Sequence, residues 1–163
     1  MLVLIFFGTS ATGVAFMCQS AFEYATILIV NEQNDHYDKM QKNIVDLKIM
    51  QKEFQQYIDI LNKRQFTVEE REGINVVLRD FEEIALNISK EVGFFQEDTT
   101  VHIFLPPSKK ITKCFDNTRN THLYIERFIR SFENGLSSRF IDRSKKENII
   151  QNFTLLQDEL DTL

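Results

Sequence analysis

The stretch MQKNIVDLKIMQKEFQQYIDIL (40–61) decides the fold. Its apolar side chains fall at Met40, Ile44, Leu47, Phe54, Ile58 and Leu61, in steps of four and three, with polar Gln51 in the one missing place. That rhythm is a helix carrying a narrow, coiled-coil-like seam. The spacing predicts a helix over about 36–64, entered from the polar segment NEQNDHYD (31–38) with Asn34 or Asp35 as its N-cap.

Working outward, Thr67 is followed three residues later by Glu70. This is a capping box, in which the hydroxyl accepts from one orphan N–H and the carboxylate reaches back to another. A second helix over 67–92 follows, with a stripe of Ile74, Val77, Phe81, Ile84, Ile88 and Val92 and Gly93 as its stop. The short connection makes these two helices an antiparallel hairpin. Residues 94–107 (FFQEDTTVHIFLPP) break the period, since Pro106-Pro107 cannot sit inside a helix and Val101–Leu105 reads as a short extended stretch. Ser108 then caps a third helix over 108–134, with Ile111, Phe115, Thr118, His122, Ile125, Ile129 and Phe132 inward and Asn134-Gly135 as its stop. Ser137 or Ser138 caps a fourth over 138–163, with Ile141, Ile149, Phe153, Leu156, Leu160 and Leu163 inward and Lys145 in the missing step. Four helices with one apolar stripe each bury those stripes together as an all-α, up-down-up-down four-helix bundle.

The N-terminus has a different character. Residues 1–22 carry no charged side chain, Glu23 interrupts, and Tyr24–Val30 (YATILIV) is apolar again. Two readings compete over residues 1–30. Met1–Phe22 is long enough for a membrane anchor. Alternatively, the apolar run Leu2–Phe7 followed by small residues, with Gly13 and Ala15 in a small-x-small pattern, reads as a secretory signal peptide, although no Lys or Arg precedes it. Either reading leaves residues 31–163 as the working bundle, secreted or membrane-anchored outside the cytoplasm.

With 163 residues the chain is one domain, and 43% apolar content places it among globular proteins. The net charge of −5 excludes a globally basic nucleic-acid binder. That total conceals blocks. Residues 31–107 hold 9 basic against 15 acidic residues, net −6; residues 108–146 hold 10 against 4, net +6; residues 147–163 hold none against 4. The opposed blocks suit assembly within one chain, and the basic one offers a face for an acidic partner or anionic headgroups through Lys109, Lys110, Lys113, Arg139, Arg143, Lys145 and Lys146.

Signals for chemistry are few. The inner stripes lack the carboxylates of a paired-metal bundle, and His122 with Glu126 supplies at most two ligands, so neither metal nor cofactor is expected. No glycine-rich phosphate loop or nucleophile elbow occurs. Cys18 and Cys114 are the only cysteines and offer one disulfide outside the cell. Asn87-Ile-Ser89 and Asn152-Phe-Thr154 are glycosylation sequons. The connection at 94–107 carries Phe94, Phe95, Val101, Ile103, Phe104 and Leu105, either as a plug for the open end of the bundle or as a patch for a partner protein. The expectation is a non-enzymatic bundle that is exported or tethered and binds another protein, possible self-association included. A membrane-active protein and a small-ligand sensor or carrier are the alternatives.

Overall fold

The computed structural model describes residues 11–97 and 105–163, and of residues 11–18 and 97 the backbone alone. Among the described residues there are five helices: α1 (Ala11–Lys63), α2 (Val68–Glu97), α3 (Lys109–Thr118), α4 (Thr121–Leu136) and α5 (Arg143–Asp161). They form an all-α four-helix bundle in which α3 and α4 together make the third arm. α1 packs on α2, α2 on α4, α4 on α5, and α5 returns to α1.

The seam that opened the sequence is buried as read: Met40, Ile44, Leu47, Phe54, Ile58 and Leu61 all lie in the core, with Gln51 half-buried. At the centre the Phe54 ring meets Phe81 of α2 and Phe128 of α4 at 5.0 Å, and Phe132 of α4 at 5.3 Å, all edge-on. Phe128 carries the cluster on to Phe153 of α5 at 5.5 Å. Edge-to-face pairs place the positive rim of one ring against the negative face of the next, adding about 0.5–1.5 kcal/mol per pair beyond the area buried.

Five expectations about the elements are corrected. The first helix does not begin near residue 36. It runs unbroken through Asn31–Asp38, so Asn34 and Asp35 are interior rather than caps. The stepping explains this: Gln33 (buried) and Tyr37 (half-buried) continue the seam backwards, and Asp35 pairs with Lys39 one turn on, at 2.6 Å. Gly93 does not stop α2, which continues to Glu97 and takes Phe94 and Phe95 out of the connection. The third helix is broken at Arg119–Asn120. There the Thr118 hydroxyl donates to the carbonyls of Cys114 (2.9 Å) and Phe115 (3.3 Å), within a run of weak helix formers. The break shifts the inner face by one residue, so Thr121 is buried and His122 only half-buried. Gly135 is not a stop either: α4 runs to Leu136, and Gly135 is buried where a Cβ would lie 2.7 Å from Ile149 Cδ1. The cap of α5 is Asp142, whose carboxylate accepts from the Lys145 N–H at 2.9 Å, instead of Ser137 or Ser138.

Stripe widths also differ. On α2, Leu78 and Ala85 are buried while Val77 and Ile84 are half-buried, and on α4 Phe128 joins the core. Each of these helices packs on two neighbours, so a single four-three line understates the face it buries.

The turn end of the bundle is sewn by polar side chains. The capping box forms as read, with the Thr67 N–H donating to Glu70 Oε2 (2.8 Å) and the Glu70 N–H to Thr67 Oγ1 (3.2 Å), and Arg64 grips the same carboxylate at 2.7 and 2.8 Å. Gln65 bridges to the opposite turn, donating to the Ile141 carbonyl and accepting from its N–H, each at 2.9 Å. Arg71 spreads its guanidinium over the carbonyls of Leu136, Ser138 and Arg139.

Replacing Phe54 by Ala removes the hub ring and leaves a cavity, so Phe54→Ala is expected to cost about 3–5 kcal/mol of unfolding free energy. Val45→Ala, at an exposed position of the same helix, should stay within about 0.5 kcal/mol; urea titration followed by circular dichroism measures both. The Arg64 guanidinium, and then the Thr67 N–H, push the Glu70 carboxyl from its ordinary 4.5 down to about 2. The folded chain therefore holds that proton less readily than the unfolded one, so the charged box stabilises above about pH 4.5 and its contribution drains away as the pH falls towards 2. Thermal midpoints of the native chain and Glu70→Gln should differ most near neutral pH and converge near the acid limit of that window.

Candidate functional site

The seam of α1 enters the bundle at Gln33, but the helix begins at Ala11. The 22 residues before Gln33 form an arm that projects by about 33 Å at a rise of 1.5 Å per residue. Its large apolar side chains face outward: Phe22 is 68% exposed, Tyr24 65%, Ile27 57%, Leu28 50% and Val30 39%. At 100° per residue, and with Phe22 at zero, Val30, Ile27, Tyr24 and Leu28 lie at roughly 80°, 140°, 200° and 240° around the axis. Gln19, Glu23 and Thr26 fall at roughly 60°, 100° and 40°, so one side of the arm carries a short polar strip that Val30 interrupts. Its few polar groups are satisfied within the helix: Thr26 Oγ1 donates to the Phe22 carbonyl (2.8 Å) and Gln19 Nε2 to Glu23 Oε1 (3.0 Å).

The root of the arm is clamped. Gln33 Nε2 donates to the Leu105 carbonyl at 3.1 Å, the His36 ring stacks on Phe94 at 3.7 Å and its Nδ1 contacts Glu91, and Lys110 Nζ sits 4.9 Å over the Tyr37 ring. Beside it Phe95 stacks on Phe115 at 4.1 Å. The connection read as a partner patch is thereby redistributed: Phe94 and Phe95 belong to α2 and pack half-buried within the chain, and Leu105 is half-buried at the arm's root. Val101, Ile103 and Phe104 lie outside the described residues.

The basic face is corrected as well, because its members sit at two ends. Lys109, Lys110 and Lys113 occupy the first turns of α3 beside the arm, while Arg139, Arg143, Lys145 and Lys146 surround the α4–α5 turn. From Lys113 to Arg139 the third arm advances 26 positions, about 39 Å. The second cluster serves the fold: Lys146 Nζ donates to the Asn62 carbonyl (3.2 Å), Lys145 Nζ to Ser138 Oγ, and Arg143 pairs with Glu147 at 2.7 Å. Among the described residues no ion pair joins the acidic block 31–107 to the basic block 108–146. The opposed blocks therefore do not meet as direct pairs.

The larger concavities of the described residues are grooves between helices. One, of about 520 Å³, runs between α2 and α4 over Ala85 and Ile129, with Leu86 at its lip and Glu82, Glu83, Glu126 and Glu133 among its rim residues. A second, between α1 and α2, includes Asn87. Both sequon asparagines lie in helices and are half-buried, and Asn152 Nδ2 donates to the Asn148 carbonyl and Oδ1. His122 Nδ1 is buried without a hydrogen-bond partner, while Glu126 pairs with Arg130 at 3.6 Å. Among the described residues no three His, Cys, Asp or Glu side chains converge on one point.

The Cys18–Cys114 disulfide does not form. Cys114 is free and half-buried, with Gln41 Nε2 donating to its Sγ at 3.1 Å, whereas Cys18 lies 23 positions before Gln41 on the same unbroken helix, about 35 Å along its axis. Burial pushes the Cys114 thiol above its ordinary range, against the lowering effect of the Gln41 amide and the nearby Lys110 charge. In a Cys18→Ser chain, a thiol-reactive probe near neutral pH is expected to label folded Cys114 at least about tenfold more slowly than the urea-unfolded chain. Equal rates would contradict the placement.

Two features were not legible in the sequence: the arm's continuity with the core, and the acid-rimmed α2–α4 groove, whose Ala85 floor the four-three reading of α2 had skipped. Among the described residues no helix is long and apolar enough to cross a membrane, and most of the apolar run Met1–Phe22 lies outside the residues whose side chains are described. No protein-family model, curated protein or solved structure matches this chain.

Proposed function

We propose that this chain is a non-enzymatic, membrane-tethered helical bundle that acts by binding another protein. The observation that carries the reading is the arm, whose exposed apolar side chains Phe22, Tyr24, Ile27, Leu28 and Val30 spread over most of its circumference beside one short polar strip of Gln19, Glu23 and Thr26. A helix that docks on one partner needs one apolar stripe, whereas apolar side chains spread over most of a helix suit lipid, with the short polar strip turned to headgroups or water. Lipid also offers no hydrogen bonds, which suits the Thr26 and Gln19 bonds closed within the helix. Burying the exposed side chains of Phe22, Ile27 and Leu28 in lipid gains about 1.5–3 kcal/mol for each, and the apolar residues before Ala11 in the sequence add to this. A tether fits better than a cleaved signal, because a cut after Ala15 would leave Phe22 and Tyr24–Val30 bare in water.

The bundle then stands at the lipid surface on its α3 end, with Lys109, Lys110 and Lys113 near the headgroups and the α2–α4 groove on its flank. The binding half of the reading is supported by that groove and by the uncompensated charge along it.

Flotation through a sucrose gradient with phosphatidylcholine vesicles tests the tether. The full chain is expected to rise with the vesicles, and the Phe22→Glu/Ile27→Glu chain, altered on two sides of the arm, to float about tenfold less while keeping its helical circular dichroism. A native chain that stays at the bottom, or a double variant that floats equally, would sink the reading.

A further inference from the structure

We infer that the groove between α2 and α4 is a docking site for a basic amphipathic helix of the partner protein. The inference rests on the binding role proposed above and supplies the chemistry of what is bound. The floor is apolar and closed, with Ala85 5% and Ile129 7% exposed, and Leu86 stands at the lip 54% exposed, an aliphatic side chain with room for a neighbour. Two carboxylates rise from each wall, Glu82 and Glu83 from α2 and Glu126 and Glu133 from α4. The groove's own cations are Arg79 and Arg130, and Arg130 is already engaged by Glu126 at 3.6 Å. Glu82, Glu83 and Glu133 have no ion-pair partner within 4 Å among the described residues, in a chain with a +6 segment of its own.

The shape selects the occupant further. Glu82, Leu86 and Ser89 on one wall and Glu126, Ile129 and Glu133 on the other follow helical spacing for about two turns, or roughly 10 Å. A helix laid between two helices offers aliphatic anchors at i, i+3 and i+4 to the floor and long basic side chains to both rims. Phosphate-bearing ligands and anionic lipid are repelled by the same carboxylates. The groove is open along its length, which suits a rod better than an engulfed small molecule.

The probe is a labelled peptide of about 14 residues with a Leu stripe at i, i+3, i+4, i+7 flanked by Lys, titrated by fluorescence anisotropy against the full chain in phosphatidylcholine nanodiscs and referenced to empty discs. Binding is expected to fall at least about tenfold in Glu82→Lys/Glu126→Lys, and the mirror peptide with Glu for Lys should bind that variant in preference to the native chain. Glu53→Lys/Asp59→Lys makes the same charge change on exposed positions of α1 and should leave binding unchanged. No binding above empty discs, or equal weakening by both swaps, overturns the proposal. Flotation of the same samples separates the outcomes: a chain that floats but ignores the peptide loses the groove and keeps the tether.

Discussion

Everything in this bundle is registered on Phe54. One ring on α1 touches rings from α2 and α4, and through Phe128 the contact reaches α5, so the four arms meet in a single aromatic layer. Because each edge-on pair depends on the tilt of its neighbour, the layer sets the rotation of every helix about its axis as well as its height. The diagonal pairing shows the result. Gln33 with Leu105, Gln41 with Cys114 and Phe54 with Phe128 keep a nearly constant offset between α1 and the third arm, which therefore run side by side in the same direction.

How much of this the sequence disclosed differs from element to element. The α1 seam from Met40 to Leu61 was legible in the four-three spacing, while its backward continuation through Gln33 and Tyr37 was not. The α2 and α4 faces were read too narrowly: packing on two partners widens the buried arc, and Leu78, Ala85 and Phe128 fall in the added width. The break at Arg119–Asn120 is made by a side chain back-bonding to the helix, which periodicity does not register. Gln65 and Arg71, which join the two turns, left no signal because their partners are backbone carbonyls and an N–H some 65–76 residues away in sequence. The capping box was visible because its logic is local.

Charge behaved differently from hydrophobic pattern. Segment totals suggested opposed faces meeting inside one molecule, yet among the described residues no ion pair joins block 31–107 to block 108–146, and the one pair that crosses a segment boundary, Arg143 with Glu147, spans a single turn of α5. A total along the chain says nothing about where the third arm turns its lysines, and that arm sends one group to each end. The folded chain is consequently polarised in space: carboxylates along the α2 flank, three lysines beside the arm, and a second basic group used up in holding turns. That arrangement leaves a long flank of the molecule electrostatically unsatisfied without weakening the core.

The unbroken course of α1 has a mechanical side. Between Val14 and Glu72 the chain contains neither glycine nor proline, and the helix passes from the arm into the core without a joint. An α-helix with its ladder intact resists bending and twisting over this length, so the arm acts as a lever whose fulcrum is the clamp of Gln33, His36 and Phe94. A rotation or tilt imposed on the arm is delivered as torque to the aromatic layer at Phe54, and one imposed on the bundle returns along the same shaft.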